Sequence, residues 1–151
     1  MKIFRENITS GNEKIAKFLG WFTEDDDDRP YPTWFEISDS AKIVAYSIHN
    51  NYPHYELPFH RDWNMLWKVI EKIEDLDESD RIKHNISHMY SIDITGNGTT
   101  AYKNIWSHGE NRIIHRFNSH NNRLQNTFLV VVAFIDWYNE KLKKEQDEKT
   151  D

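Results

Sequence analysis

The chain has 151 residues and a formal net charge of -6 at pH 7, which suits one domain built around one hydrophobic core. It contains no cysteine, which excludes disulfide bonds and thiolate zinc sites, and its first residues lack the apolar run of a signal peptide. Because no window approaches the roughly 18 apolar residues of a membrane span, we expect a soluble, cytoplasmic protein.

The first predicted element is a short amphipathic helix in TSGNEKIAKFLGW. Ser10 or Thr9 would cap its N-terminus, Glu13 would complete a capping box, and Gly20 would end it. The next segment, TEDDDDRPYP, combines a run of acids with two prolines. Like charges repel one another and proline lacks a backbone N–H, so this segment predicts an exposed acidic loop.

Two strands and a second helix are predicted next. TWFEIS and AKIVAYSI are rich in β-branched and aromatic residues and read as a strand pair. LPFHRDWNMLWKVIEKIEDL predicts a helix with Asp62 as N-cap. Its apolar residues recur at helical spacing and are Trp63, Leu66, Trp67, Ile70 and Ile73. Trp63 and Trp67 are four residues apart and share a helix face, so we expect both rings to anchor the core.

The second half of the chain predicts a meander of strands and a long helix. NISHMYSIDIT favours a strand over residues 85–95, although its first half also fits a helix. Asn97-Gly98 is a hairpin signal, with TAYKNIW and then RIIHRF as the following strands. NNRLQNTFLVVVAFIDWYNEKLKK predicts the last helix. We expect a single α+β domain over residues 1–145, with three helices packed on an antiparallel sheet of about four or five strands, and a charged tail at 146–151.

Patterns for catalysis and metal binding find little support. On a strand, His84 and His88 would stand roughly 13 Å apart, too far to share a metal. The chain has no cysteine nucleophile and no Gly-x-Ser-x-Gly. His60 and Asp62 are better explained as helix-capping groups than as the acid–base pair of a hydrolase. We therefore expect no metal, no cofactor and no enzymatic activity.

The most distinctive charge pattern is a basic segment in an acidic chain. Residues 81–123 hold six Lys or Arg and two Asp or Glu, a net charge of +4, and five of the eight histidines. Its arginines could hold phosphates while aromatic rings stack on a base. The alternative is a strand face with ordinary solvated charges. The candidate partner-binding or nucleic-acid-binding residues are Arg112, His115, Arg116, Phe117 and Arg123.

Three segments resemble, in the same order, parts of small uncharacterised proteins common in phages and prophages of Bacteroidetes-type bacteria. The segments are IAKFLGW, LPFHRDWNMLWKVIEKIE and VVVAFIDWYNEK, about 37 of the 151 residues. Those proteins carry a Leu-Gly-Trp-like helix end, a Tyr-His-x-x-Trp-x-Trp-Leu-like helix start and a Phe-Ile-x-Trp-Tyr-Asn helix. Here Phe59 replaces the tyrosine, and Met65 stands where the second tryptophan often is.

The resemblance implies a phage protein that works inside a bacterial host cell. Small phage proteins without enzymatic motifs are often inhibitors of host defence, including anti-CRISPR proteins, or accessory proteins of replication or packaging. We therefore expect a non-enzymatic protein that inhibits a bacterial defence nucleoprotein, through surfaces around residues 81–123 and the acidic loop. The alternative is direct binding of RNA or single-stranded nucleic acid by residues 81–123. No membrane partner is expected.

Overall fold

The computed structural model describes residues 2–24, 32–47, 57–105, 110–118 and 122–150. The described residues form an α+β protein with four helices and five strands, one helix more than predicted. The strands form two antiparallel sheets, of two and three strands, rather than one sheet. The contacts divide into two compact units, residues 1–60 and 61–151, which are described separately. The single domain over residues 1–145 stays a prediction, and most of the predicted acidic loop lies outside the described residues.

In the first unit, helix α1 spans Lys2–Phe18. The predicted start at residues 9–10 is wrong, because the preceding KIFREN contains no glycine or proline that would stop a helix. The predicted end is confirmed. Gly20 has a φ of 83°, and the N–H of Trp21 donates to the Ala16 carbonyl at 2.9 Å. Glycine takes this left-handed conformation at low cost and so closes the helix.

The predicted strand pair of the first unit is confirmed. Strands β1 (Trp34–Ser38) and β2 (Ala41–Tyr46) pair antiparallel, with Ser38 opposite Ala41. Asp39 and Ser40 form the connecting turn with φ values of 51° and 68°. A two-residue turn with positive φ matches the twist of a hairpin, and aspartate tolerates the left-handed region better than most residues.

A buried indole ties the segment after α1 to this hairpin. Trp21 is 6% exposed, and its Nε1 donates to Oε2 of Glu36 at 3.1 Å. Its ring centroid lies 5.3 Å from that of Phe59. Phe22 and Phe35 pair as an isolated antiparallel bridge. The buried ring therefore fills the apolar interior while its N–H group keeps a hydrogen-bond partner.

The second unit is built on a three-stranded antiparallel sheet in the order β3-β4-β5. Its strands are β3 (Tyr90–Thr95), β4 (Gly98–Ile105) and β5 (Glu110–Phe117). The predicted hairpin is confirmed, with residues 96–97 as its turn. Gly98 has a φ of 140°, and a β-carbon there would lie 2.7 Å from the carbonyl oxygen of Phe117. Only glycine fits this position without displacing backbone.

Three helices belong to the second unit. They are α2 (Trp63–Glu74), α3 (Glu78–His84) and α4 (Arg123–Thr150). Helix α4 packs on β4 and β5, and α2 contacts β3 and α4. A buried hydrogen bond of 3.0 Å joins the hydroxyls of Thr99 on β4 and Thr127 on α4. Helix α4 continues through residues 146–150, where the sequence predicts a charged tail. Among the described residues, no helix is long and apolar enough to cross a membrane.

Helix α3 was not predicted, and it changes the geometry around two histidines. His84 is the last residue of α3, Asn85 follows in the left-handed region, and β3 begins only at Tyr90. The predicted strand over residues 85–95 is therefore wrong in its first half, where the sequence also fitted a helix. The strand spacing assumed between His84 and His88 does not apply.

The core of the second unit is centred on a buried tyrosine. Tyr90 is 1% exposed, and its ring meets those of Phe134, Trp137 and Tyr138 edge-on, with centroids 5.2 to 5.8 Å away. Its hydroxyl donates to Oδ2 of Asp77 at 2.9 Å, and the hydroxyl of Tyr138 donates to Oδ1 of the same carboxylate at 3.1 Å. Burial, together with Asp77, raises the pKa of Tyr138 to about 12 and also raises the pKa of Tyr90.

Candidate functional site

The two tryptophans of α2 do not anchor the core as predicted. Trp63 is 40% exposed and Trp67 is 49% exposed. The buried residues of the helix are Leu66, Val69, Ile70 and Ile73. With 3.6 residues per turn, Trp63 and Trp67 lie about 70° and 110° around the helix from the centre of this buried stripe. Both indoles therefore lie on the flank of α2, partly covered and partly open to solvent.

Trp63, Trp67 and Glu71 follow one another at intervals of four residues and form a row along this flank, called here the tryptophan row. Residues four apart on a helix are neighbours, about 5–6 Å apart between β-carbons. All three side chains are exposed. The row therefore presents two large apolar rings and, one turn further on, a carboxylate.

The helix that carries the tryptophan row is firmly held. Oδ1 of Asp62 accepts hydrogen bonds from the backbone N–H groups of Asn64 at 2.9 Å and Met65 at 3.3 Å, which confirms it as the N-cap. The carboxylate is thereby occupied with capping. His60 belongs to the first unit, where its Nδ1 lies 2.9 Å from Nδ2 of Asn12 in a hydrogen bond. Both residues of the alternative acid–base pair therefore have hydrogen-bond partners of their own.

Three of the five predicted binding residues share one face of the sheet. Arg112, His115 and Phe117 lie on β5, opposite Lys103, Ala101 and Thr99 of β4. The register shifts at Ile114, which leaves this residue without a direct partner. This bulge brings Arg112 onto the same face as Phe117, although five residues separate them. The rings of His115 and Phe117 lie 5.0 Å apart between centroids.

The other two predicted arginines lie elsewhere. Arg116 is opposite Thr100 and therefore points to the other face of the sheet. Arg123 begins α4, and its Nη2 lies 3.4 Å from the position that a β-carbon on Gly96 would take, next to the turn between β3 and β4. The structure does not gather the three arginines into one cluster. The part these residues play in binding stays a prediction.

The described histidines show no arrangement typical of a metal centre. Within the described ranges, no group of three or more His, Cys, Asp or Glu is placed to hold a metal ion. Nδ1 of His88 lies 3.1 Å from the carbonyl oxygen of Glu74, and its Nε2 lies 3.5 Å from the Glu74 carboxylate. His88 therefore ties the end of α2 to the residues before β3. His108 and His120 lie outside the described residues.

Comparison with known proteins gives no relative from which a site could be transferred. No protein-family model matches the sequence, and neither the curated proteins nor the solved structures searched contain a significant match. The candidate site therefore depends on geometry. The four-residue spacing of Trp63 and Trp67 predicts that both rings are buried, and this prediction is wrong. Val69, left out of the predicted apolar set, moves the centre of the buried stripe away from both rings.

Proposed function

We propose that this chain is a non-enzymatic binding protein that docks onto a protein partner through the tryptophan row. The observation that carries the proposal is the exposure of two indoles on one flank of α2, at 40% and 49%. Tryptophan is among the residues most enriched at the energetic centres of protein interfaces. An exposed pair loses apolar hydration when a partner covers it, which favours association.

The way α2 is held makes this surface suited to tight binding. The four buried aliphatic residues and the Asp62 cap fix the helix before any partner arrives. More than half of the surface of each tryptophan is already covered, so less side-chain freedom remains to be lost on association. Pre-organisation of this kind lowers the entropic cost of binding. The row therefore fits a rigid anchor better than an adaptable surface.

The row also specifies the chemistry of its partner. Two indoles one turn apart need an apolar slot about two helical turns long, with a hydrogen-bond acceptor at its edge for an indole N–H. Neither Trp63 nor Trp67 donates a hydrogen bond to another described residue. Glu71 at the end of the row favours a basic side chain on the partner. Charges at the rim would mainly affect the association rate.

The proposed context comes from the resemblance to phage and prophage proteins. In that context the partner is a component of a bacterial defence nucleoprotein, and docking of this chain inhibits it in the host cytoplasm. Inhibition needs no chemistry by this chain, because covering a functional surface of the partner is sufficient. The proposal thus requires only that this chain binds its partner at a surface that the partner needs for its function.

A pull-down from a bacterial host lysate tests the proposal. The bait is wild type, the double variant Trp63→Ala/Trp67→Ala, or Ile82→Ala, each with and without nuclease treatment. Ile82 on α3 is 72% exposed, so its variant removes exposed apolar surface away from the row. We expect wild type and Ile82→Ala to recover the same protein, nuclease to leave that recovery unchanged, and the double variant to lose it while keeping its circular dichroism spectrum.

Equal recovery by the double variant would contradict docking through the tryptophan row. Recovery that disappears with nuclease would point to a nucleic-acid bridge instead. Glu71→Lys provides a finer test, since it keeps both indoles and reverses the charge at the end of the row. It is expected to slow association more than it speeds dissociation.

Binding of RNA or single-stranded DNA is the second candidate, favoured by the shared face of Arg112, His115 and Phe117. A net charge of -6 opposes it, so we expect little binding by the isolated protein at about 150 mM salt. The test is a titration of labelled RNA with wild type and with Arg112→Ala/Arg116→Ala/Arg123→Ala. Tight binding that is lost in the triple variant would favour this candidate over the first.

A further inference from the structure

A groove runs between the sheet of the second unit and the C-terminal half of α4. It has a volume of about 470 Å³. Its walls come from β4, β5 and α4, and its lining residues are Lys103, Arg112, Ile113, Ile114, Trp137, Glu140, Lys141, Lys144 and Glu145. Small-molecule sites usually occupy about 300–1,000 Å³. The groove is therefore large enough for a compact organic ligand.

The groove carries a positive net charge, although the net charge of the protein is negative. Among the described lining residues, four side chains are cationic and two are anionic, a net charge of +2, whereas the whole chain carries -6. Lys141 is paired with Glu145 at 2.8 Å. Among the residues whose side chains the structure describes, no carboxylate forms a salt bridge with Lys103, Arg112 or Lys144.

The placement of the cations is unfavourable for the fold by itself. Lys103 and Arg112 are direct partners across β4 and β5. Like charges in such positions repel one another and destabilise a strand pair. Lys141 and Lys144, three residues apart on α4, form a second like-charged pair on the opposite wall of the groove. An anion between the two walls would relieve the repulsion between Lys103 and Arg112, and it would also give Lys144 a partner, while Lys141 already has one in Glu145.

The remaining groups restrict the kind of anion. Arg112 presents a planar fork suited to phosphate oxygens, with Lys103 and Lys144 as additional charges. Trp137 and Ile114 provide an apolar wall against which a flat ring can lie. Glu140 and Glu145 would repel a uniformly acidic peptide. They would instead accept hydrogen bonds from the hydroxyls of a sugar.

The geometry points to a binding site for a nucleoside phosphate. Lys103, Arg112 and Lys144 hold the phosphate, the base lies along Trp137 and Ile114, and Glu140 accepts from the sugar hydroxyls. This site is independent of the tryptophan row, so the two can succeed or fail separately. A free nucleotide and the terminal nucleotide of an RNA strand share this chemistry, and the experiment distinguishes them.

Isothermal titration calorimetry with the full chain tests the site. The probes are the four ribonucleoside 5′-monophosphates, inorganic phosphate, oligouridine and an oligoglutamate peptide. We expect at least one monophosphate to bind more tightly than inorganic phosphate and the peptide, because only the nucleotide also uses the apolar wall. Arg112→Ala is expected to weaken that binding about tenfold or more, as loss of a charged hydrogen bond does. Lys17→Ala/Lys83→Ala, which removes exposed lysines elsewhere, leaves it unchanged.

A melting curve of each variant shows whether it still folds, so that a loss of binding can be distinguished from a loss of structure. Lys103→Ala removes one of two repelling charges, so it is expected to weaken nucleotide binding while leaving the melting temperature equal or higher. Three outcomes would overturn the proposal: no heat from any monophosphate at millimolar concentration, equal affinity for inorganic phosphate, or much tighter binding of oligouridine or of the peptide. The last outcome would indicate a site for an RNA strand or for an acidic peptide rather than for a single nucleotide.

Discussion

The carboxylate of Asp77 is expected to be among the most sensitive positions of the second unit. It accepts hydrogen bonds from the hydroxyls of Tyr90 and Tyr138. The backbone of Asp77 lies in the left-handed region, with a φ of 56° and a ψ of 42°. Asp77→Ala removes both acceptors and leaves the hydroxyl of Tyr90, a residue only 1% exposed, without a partner. Alanine also fits this backbone less well than aspartate does.

These effects set the expected size of the change. A hydrogen bond to a charged group contributes about 1.5–3 kcal/mol, and a buried group left without a partner costs about 1–3 kcal/mol. The left-handed backbone adds roughly 1 kcal/mol for alanine. Because the terms overlap, we expect Asp77→Ala to lower the free energy of unfolding by about 3–5 kcal/mol. Asp77→Asn keeps an acceptor and tolerates the backbone, so about 1 kcal/mol is expected.

Urea denaturation followed by tryptophan fluorescence measures these values, and a double-mutant cycle isolates the hydrogen bond. Tyr90→Phe in the Asp77→Ala background removes the stranded hydroxyl, so the double variant should be more stable than the sum of the single effects predicts, by about 1–2 kcal/mol. Additive effects, or a change below about 0.5 kcal/mol in Asp77→Ala, would refute the account of this network.

Three further outcomes are expected. The raised pKa of Tyr138, about 12, means that its contribution to stability is complete below the unfolded tyrosine pKa near 10 and is lost as pH rises towards 12. The melting temperature should therefore fall above about pH 10, less steeply in Tyr138→Phe. Asp62→Ala should lower the free energy of unfolding by about 1 kcal/mol, measured by urea denaturation, since it removes the cap of α2. EDTA should leave the melting temperature unchanged, because the chain has no thiolate and no histidine cluster among its described residues. A drop restored by zinc would contradict this expectation.

The elements that the sequence predicted well are those with strong local signals. Helix α2 has a capping aspartate followed by an apolar repeat, and in the β1–β2 and β3–β4 hairpins a short turn separates two runs of strand-forming residues. The start of α1 failed because a capping-box pattern also occurs inside a helix when nothing upstream interrupts it. Helix α3 has no buried residues among its seven, so its sequence carries no apolar stripe to detect.

The candidate site was harder to predict because it depends on which flank of an element is covered. Spacing placed Trp63 and Trp67 together, and only the inclusion of Val69 in the apolar stripe would have moved its centre away from both rings. The extent of their exposure depends on where α2 meets β3 and α4. The bulge at Ile114 likewise decides that Arg112 and Phe117 share a face, against the simple alternation of a strand. The groove beside Arg112 also needs α4, whose lysines are 29 or more residues further along the chain.

Site-specific photo-crosslinking in bacterial host cells tests the central claim, docking through the tryptophan row, most directly. A photoreactive phenylalanine analogue replaces Trp67 in one variant, Ile82 in a second and Lys103 in a third, each expressed as the full chain. The account predicts a discrete adduct with one host protein from position 67, and no such adduct from position 82 or 103. A discrete adduct from position 82 or 103, with none from position 67, would contradict docking through the tryptophan row.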